Sequence, residues 1–198
     1  MYRCSAVTVS VEVTGNLTGD DKTAALRAVD AYGAQGVDNG VNVRFDANIK
    51  GGDAVTEVSG VANGNKSADN PTGQNINVTF KPDAVGGDLS GSLVAHEGSH
   101  VADGSDWVRS GFSAGMDPTR NTSEMNANHV QFNIINSILG TMAGPNGTYS
   151  GSLYGGSVNW KNGDTFKMIT PDLQKAIQKA NGALDTKPVL TKGAVLQP

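Results

Sequence analysis

Apolar side chains recur along this chain with two alternating spacings. Val7, Val9, Val11 and Val13 alternate with polar residues, the period of a strand with one buried face. Gly15-Asn16 turns the chain. Ala25, Leu26, Val29 and Tyr32 then recur at helical spacing, with Thr18 or Asp20 to cap the helix, acids in its first turn, and Gly33 and Gly36 to end it. Val41, Val43, Phe45, Ala47 and Ile49 alternate and predict a second strand. Ile76, Val78 and Phe80 predict a third, stopped by Lys81-Pro82. Between them, residues 51–75 are rich in Gly, Asn, Asp and Ser, which predicts exposed loop interrupted by a short strand over Val55 to Val58.

After Gly86-Gly87-Asp88 the period turns helical. A helix is expected from Leu89 or Ser90 to Ala102, then a loop over residues 103–120, where Asp103, Gly104, Gly111, Gly115 and Pro118 resist regular structure. A second helix is expected from about Thr122 to Leu139, with Ala127, Val130, Ile134, Ile135 and Ile138 on its apolar stripe and Gly140 as its stop. Residues 140–165 are Gly-rich and carry Tyr149, Tyr154 and Trp160, the texture of a hairpin or flap. Pro171-Asp172 opens a last helix through Ala180, and residues from about Thr186 on read as a loose tail. No repeat or linker divides the chain. Residues 1–185 therefore read as one domain and 186–198 as its tail. The element order predicts an α+β fold, with a small mixed sheet covering the first long helix on one side.

Composition narrows the partners. Charged residues are 17% of the 198, net charge is −4 and no basic run exists, so a nucleic-acid backbone is not an expected partner. No apolar run approaches the ~20 residues of a membrane span. The N-terminus alternates where a signal peptide would run apolar. The single cysteine, Cys4, excludes an internal disulfide. Hydrophobic content of 37% and 26 glycines give the loop-rich texture common in exported or surface-exposed bacterial proteins, which leaves three readings of location open: retention inside the cell, export by a route without such a signal, and membership of a longer secreted chain. Composition leaves the oligomeric state open.

The candidate chemistry sits in the first long helix. His96-Glu97-Gly98-Ser99-His100 is a His-Glu-x-x-His string. Residues i and i+4 share a helix face, so both imidazoles can reach one metal ion, while Glu97 stands beside it to take a proton from water. The chain has three histidines (96, 100 and 129) and four glutamates (12, 57, 97 and 124). Shuffling them reproduces the string on the order of once in a thousand arrangements, so chance is a poor account of it.

Catalytic zinc takes three protein ligands and a water. Glu124 is the favoured third ligand, because it shares an inward helix stripe with Ala127 and Ile134. Its other reading is a capping box, with Asn121 as N-cap. Asp106 is the rival: it lies ten residues after His96, the spacing of a metzincin third ligand, although Asp103 occupies the position of the expected glycine. Asp103 itself reads as a carboxylate orienting a histidine, or as a helix-end residue. His129 falls off the metal-facing stripe. Tyr154 is the expected donor to a developing oxyanion, with Tyr149 as a further candidate, since a phenol can hydrogen-bond such an oxygen.

The two histidines with Glu124 on the following helix resemble the gluzincin group of zincin metallopeptidases. The strings Ala95–Asp103 and Thr122–Ala127 look like a bacterial family of small zincin-like domains, some of which sit at the ends of toxin or effector proteins. The resemblance covers residues 90–135 well and Tyr154-Gly155-Gly156 loosely. It implies a zincin-like fold, Zn²⁺ held by His96, His100 and Glu124, Glu97 as the base, and hydrolysis of a peptide or protein substrate. A metal-retaining binding or structural module without turnover is the alternative, and an amidase acting on cell-wall peptide is a third reading.

Overall fold

In a computed structural model, residues 17–34, 39–50, 52–58, 76–116, 118–153 and 156–161 are described. The expected strand over Val7–Val13, the helix opened by Pro171-Asp172, the tail and Tyr154 lie outside them. The elements in order are α1 (Gly19–Asp30), β1 (Val41–Phe45), β2 (Ala54–Val58), β3 (Ile76–Phe80), α2 (Ser90–Arg109), α3 (Arg120–Ala143), β4 (Thr148–Leu153) and β5 (Gly156–Lys161). The class is α+β.

The central strand is β3. It pairs parallel with β1 (Val43 beside Val78) and antiparallel with β2 (Thr56 beside Val78), giving a mixed sheet in the order β1-β3-β2. Flanked on both sides, β3 buries Ile76, Val78, Thr79 and Phe80, whereas the edge strand β1 leaves Val43 and Phe45 exposed. β1 is shorter than its alternating pattern. Asp46 Oδ1 accepts from the backbone N–H of Asn48 at 2.8 Å, an Asx turn that breaks the run before Ala47 and Ile49. The Gly-rich segment after α3 does form a hairpin, with β4 and β5 antiparallel.

α2 is the axis of the domain. On one side it packs on the sheet through Val94, Val101, Trp107 and Val108 against Val58, Ile76, Val78 and Phe80. On another, Ala95 meets Ala25 and Ala28 of α1 and Val130 and Ile134 of α3. Further along α3, Phe132, Ile135 and Leu139 close over Leu89. Enclosure from several sides explains the small residues along α2. A Cβ on Gly98 would run into the Ala28 carbonyl of α1, so this glycine sets how closely the two helices cross.

The loop expected over 103–120 begins seven residues late, because α2 continues through Asp103 and Gly104 to Arg109. Gly104 is a contact point here and not a breaker: a Cβ there would stand 2.6 Å from Val58 Cγ2, so only glycine lets the helix lie against β2. An interior glycine costs about 1 kcal/mol in helix propensity, less than the ~1.5–3 kcal/mol that burying one large side chain contributes. Trp107, 1% exposed and edge-on to Phe112 at 4.7 Å, supplies that anchor. Likewise α3 runs past Gly140 to Ala143, held by the fully buried Leu139, and ends at Gly144 with φ of 68°.

Candidate metal centre

His96 and His100 lie one turn apart on α2, with ring centroids 5.0 Å apart and rings edge-on at 78°. α3 packs antiparallel-wise across this face by way of a short connection, and brings Glu124 up to both. Glu124 Oε2 is 3.9 Å from His96 Nε2, and Oε1 is 3.9 Å from His100 Nε2. One donor atom from each of the three residues lies within 4.8 Å of the others. The carboxylate thus faces two ring nitrogens from beyond hydrogen-bond reach of either.

Several observations bear on whether these residues fit a metal ion. His100 Nε2 is buried and, among the described residues, has no hydrogen-bond partner. Its Nδ1 lies 2.9 Å from Ser123 Oγ, so the two nitrogens are differently employed. Burial lowers the pKa of His96 to about 4, aided by His100 and opposed by Glu124 and the Gln131 side chain. Burial also lowers His100 to about 4, aided by Arg120. Both rings are therefore neutral at pH 7, with lone pairs free to ligate. Two neutral imidazoles and a carboxylate are a donor set that suits zinc with one coordination position left open.

Glu97 points to another side of α2. It is 3% exposed, and Thr56 Oγ1 on β2 donates to its Oε2 at 2.6 Å. Burial raises its pKa to about 7; the Thr56 hydrogen bond opposes the shift and the Glu124 charge adds to it. Tyr32, whose hydroxyl donates to the Val94 carbonyl at 2.8 Å, has its pKa raised well above the usual phenol value by burial and then by Glu97.

The other candidates fall elsewhere. Asp106 is turned towards α1: its Oδ2 accepts from Arg27 Nη2 at 2.8 Å, and its Oδ1 lies 3.9 Å from Arg109 Nη1. The metzincin spacing needs a chain that doubles back after the second histidine. Here α2 continues, and ten helical residues carry Asp106 roughly 15 Å along the axis from His96. Asp103 accepts from the same Arg27 nitrogen at 3.0 Å. Burial raises its pKa, with Asp106 adding to the shift and Arg27 and the Ser123 hydroxyl opposing it. The capping-box reading of Glu124 fails, because α3 starts earlier, with Thr119 as the N-cap accepting from the Thr122 N–H at 3.2 Å. His129 is exposed and lies 3.2 Å from Asp21 of α1. Tyr149 packs against the Leu89, Phe132, Ile135 and Leu139 cluster.

Thr56, Ser123 and Gln131 surround the histidines and Glu97, and sequence reasoning missed all three. Gln131 had a signal, lying seven residues after Glu124 on the same helical stripe. Ser123 had one only in being next to Glu124. Thr56 had none, since it meets Glu97 across 41 positions of sequence. Compared with protein-family models, with curated proteins and with solved structures, the chain matches none. Among the described residues no helix is long and apolar enough to cross a membrane.

Proposed function

We propose that this protein is a zinc-dependent hydrolase of the gluzincin kind, with a zincin-like fold, cleaving peptide bonds. The observation that carries the reading is the convergence of His96, His100 and Glu124 on one point, from two helices, with the motif glutamate beside the first histidine. His96 and His100 would hold the ion through Nε2 and Glu124 through a carboxylate oxygen. A zinc ion in such a site acts as a Lewis acid, making water acidic near neutral pH and polarising a carbonyl oxygen.

The chain's own residues supply the proton traffic. Glu97 takes the proton from the attacking water and gives it to the leaving amine. A pKa of about 7 suits a group that must accept and release a proton near neutral pH. Thr56 engages Oε2, so Oε1 is the oxygen that exchanges the proton. Tyr154 remains the proposed oxyanion donor.

One observation favours a second reading, a metal-retaining module without turnover: Glu97 is enclosed and already hydrogen-bonded to the sheet. The two readings separate on one experiment. Zinc-loaded protein is incubated in ¹⁸O-water with a mixed peptide pool, and new termini are sought by mass spectrometry. The hydrolase reading expects ¹⁸O-labelled C-termini that vanish with a chelator and in Glu97→Gln. Bound zinc with no new termini in the pool supports the module.

A further inference from the structure

Arg120 opens α3, one turn before Glu124. Residues at i, i+3 and i+4 share a helix face. Arg120 therefore lies on the side of α3 that carries Ser123 to His100 and Glu124 to both histidines. Burial first, and then the Arg120 charge, lower the pKa of His100, so the guanidinium stands within electrostatic reach of that ring. The side chain is half-buried, and its Nε is fully enclosed without a hydrogen-bond partner among the described residues.

Among the described residues Arg120 also forms no ion pair. The nearby carboxylates are engaged elsewhere: Asp103 and Asp106 accept from Arg27, and Glu124 faces the two imidazoles. The other described arginines differ. Arg27 is paired with two aspartates, Arg109 lies beside Asp106, and Arg44 is exposed to water. A cation partly withdrawn from water without a counter-ion is costly, and an anion brought in from outside removes that cost. The planar fork of a guanidinium matches the two oxygens of a carboxylate.

We propose that Arg120 is a substrate-carboxylate subsite of this centre, so that the peptides cleaved carry a carboxylate on the residue beside the scissile bond, either a free C-terminus or an Asp or Glu side chain. Arg120 then fixes the register of the bound chain and selects against neutral peptides. Cleavage of such peptides rests on the hydrolase reading above; binding of the carboxylate does not.

Dissociation constants are measured on the full chain, with and without added zinc, for three short probes: acetyl-Ala-Ala with a free C-terminus, its C-terminal amide, and amidated acetyl-Ala-Glu. At least one of the two charged probes should bind about tenfold or more tighter than the neutral amide, and the one that does names the source of the carboxylate. Arg120→Gln should bring that preference to within about twofold, while Arg120→Lys, which keeps the charge and loses the fork, should retain part of it. Arg109→Gln removes a like charge in the last turn of α2 and should retain all of it. Equal binding of all three probes, or a preference that survives Arg120→Gln, overturns the proposal. If the preference follows Arg120 but no peptide bond is cut, the hydrolase reading fails and the carboxylate subsite stands. Cleavage of a peptide pool with no bias towards carboxylates beside the cut, together with equal binding, removes the subsite and leaves the hydrolase reading standing.

Discussion

Two faces of α2 carry the residues of the His-Glu-x-x-His string, and they are built differently. The face towards α3 holds His96, His100 and, from across the gap, Glu124. The side chains of His96 and Glu124 keep 12% and 13% of their surface in contact with solvent. The face towards the sheet holds Glu97, 3% exposed and tied to Thr56. The first arrangement needs only helical periodicity and one helix–helix contact. The second depends on a strand 41 residues distant. The difference separates two properties that one motif is usually taken to guarantee together: a place for a metal, and a base able to use it.

Substitutions can pull those faces apart. The largest effect is expected at Glu97, where Glu97→Gln should reduce peptide hydrolysis by about 10²–10⁴-fold while zinc content and fold persist. Loss of zinc in that variant means the residue is a ligand and the assignment fails. Next comes Glu124→Ala, expected to weaken zinc binding beyond the ~10–100-fold typical of an orienting residue. Competition against a chelator of known affinity measures it, and a change of only severalfold would place the third ligand elsewhere. Gly98→Ala should destabilise the whole domain by about 1–3 kcal/mol, because the new methyl meets the Ala28 carbonyl. Its urea midpoint decides, and an unshifted midpoint contradicts the tight α1–α2 crossing.

A smaller effect concerns the metal-free protein and pH. His96 and His100 have folded pKa values of about 4 against an ordinary 6.5, so each takes up a proton on unfolding between those limits and contributes stability that is lost as pH falls. Glu97 works in the opposite sense. Its folded pKa of about 7 against an ordinary 4.5 contributes stability at low pH that is lost as pH rises. From pH 4.5 to 6.5 these three groups together take up two protons and release one on unfolding, so their joint contribution to stability should rise by about 1.4 kcal/mol per unit, while the raised pKa of Asp103 acts in the same sense as Glu97. Glu97→Gln should steepen that slope towards twofold, and denaturation in chelator at pH 5 and 6.5 measures both. The smallest effect is Asp106→Ala, which should leave zinc affinity nearly unchanged.

Strand β1 as far as Phe45, β3, α1 and the start of α2 were legible because apolar period and turn residues agree there. Glu124 was legible for the same reason, since the stripe through Ala127 and Ile134 points inward, and both are buried. The end of α2 was not. Gly104 reads as a breaker in isolation and becomes a packing device only once Val58 is against it. The Arg27 pair with Asp103 and Asp106, and the Thr56 bond to Glu97, join residues 76, 79 and 41 positions apart, with no local pattern to announce them.

The central claim is that His96, His100 and Glu124 together hold a metal ion, and elemental analysis of protein purified without added metal tests it most directly. About one zinc per chain is expected, retained through gel filtration and lost in His100→Ala. Well under one zinc per chain, with none taken up on titration of the folded protein, would contradict it.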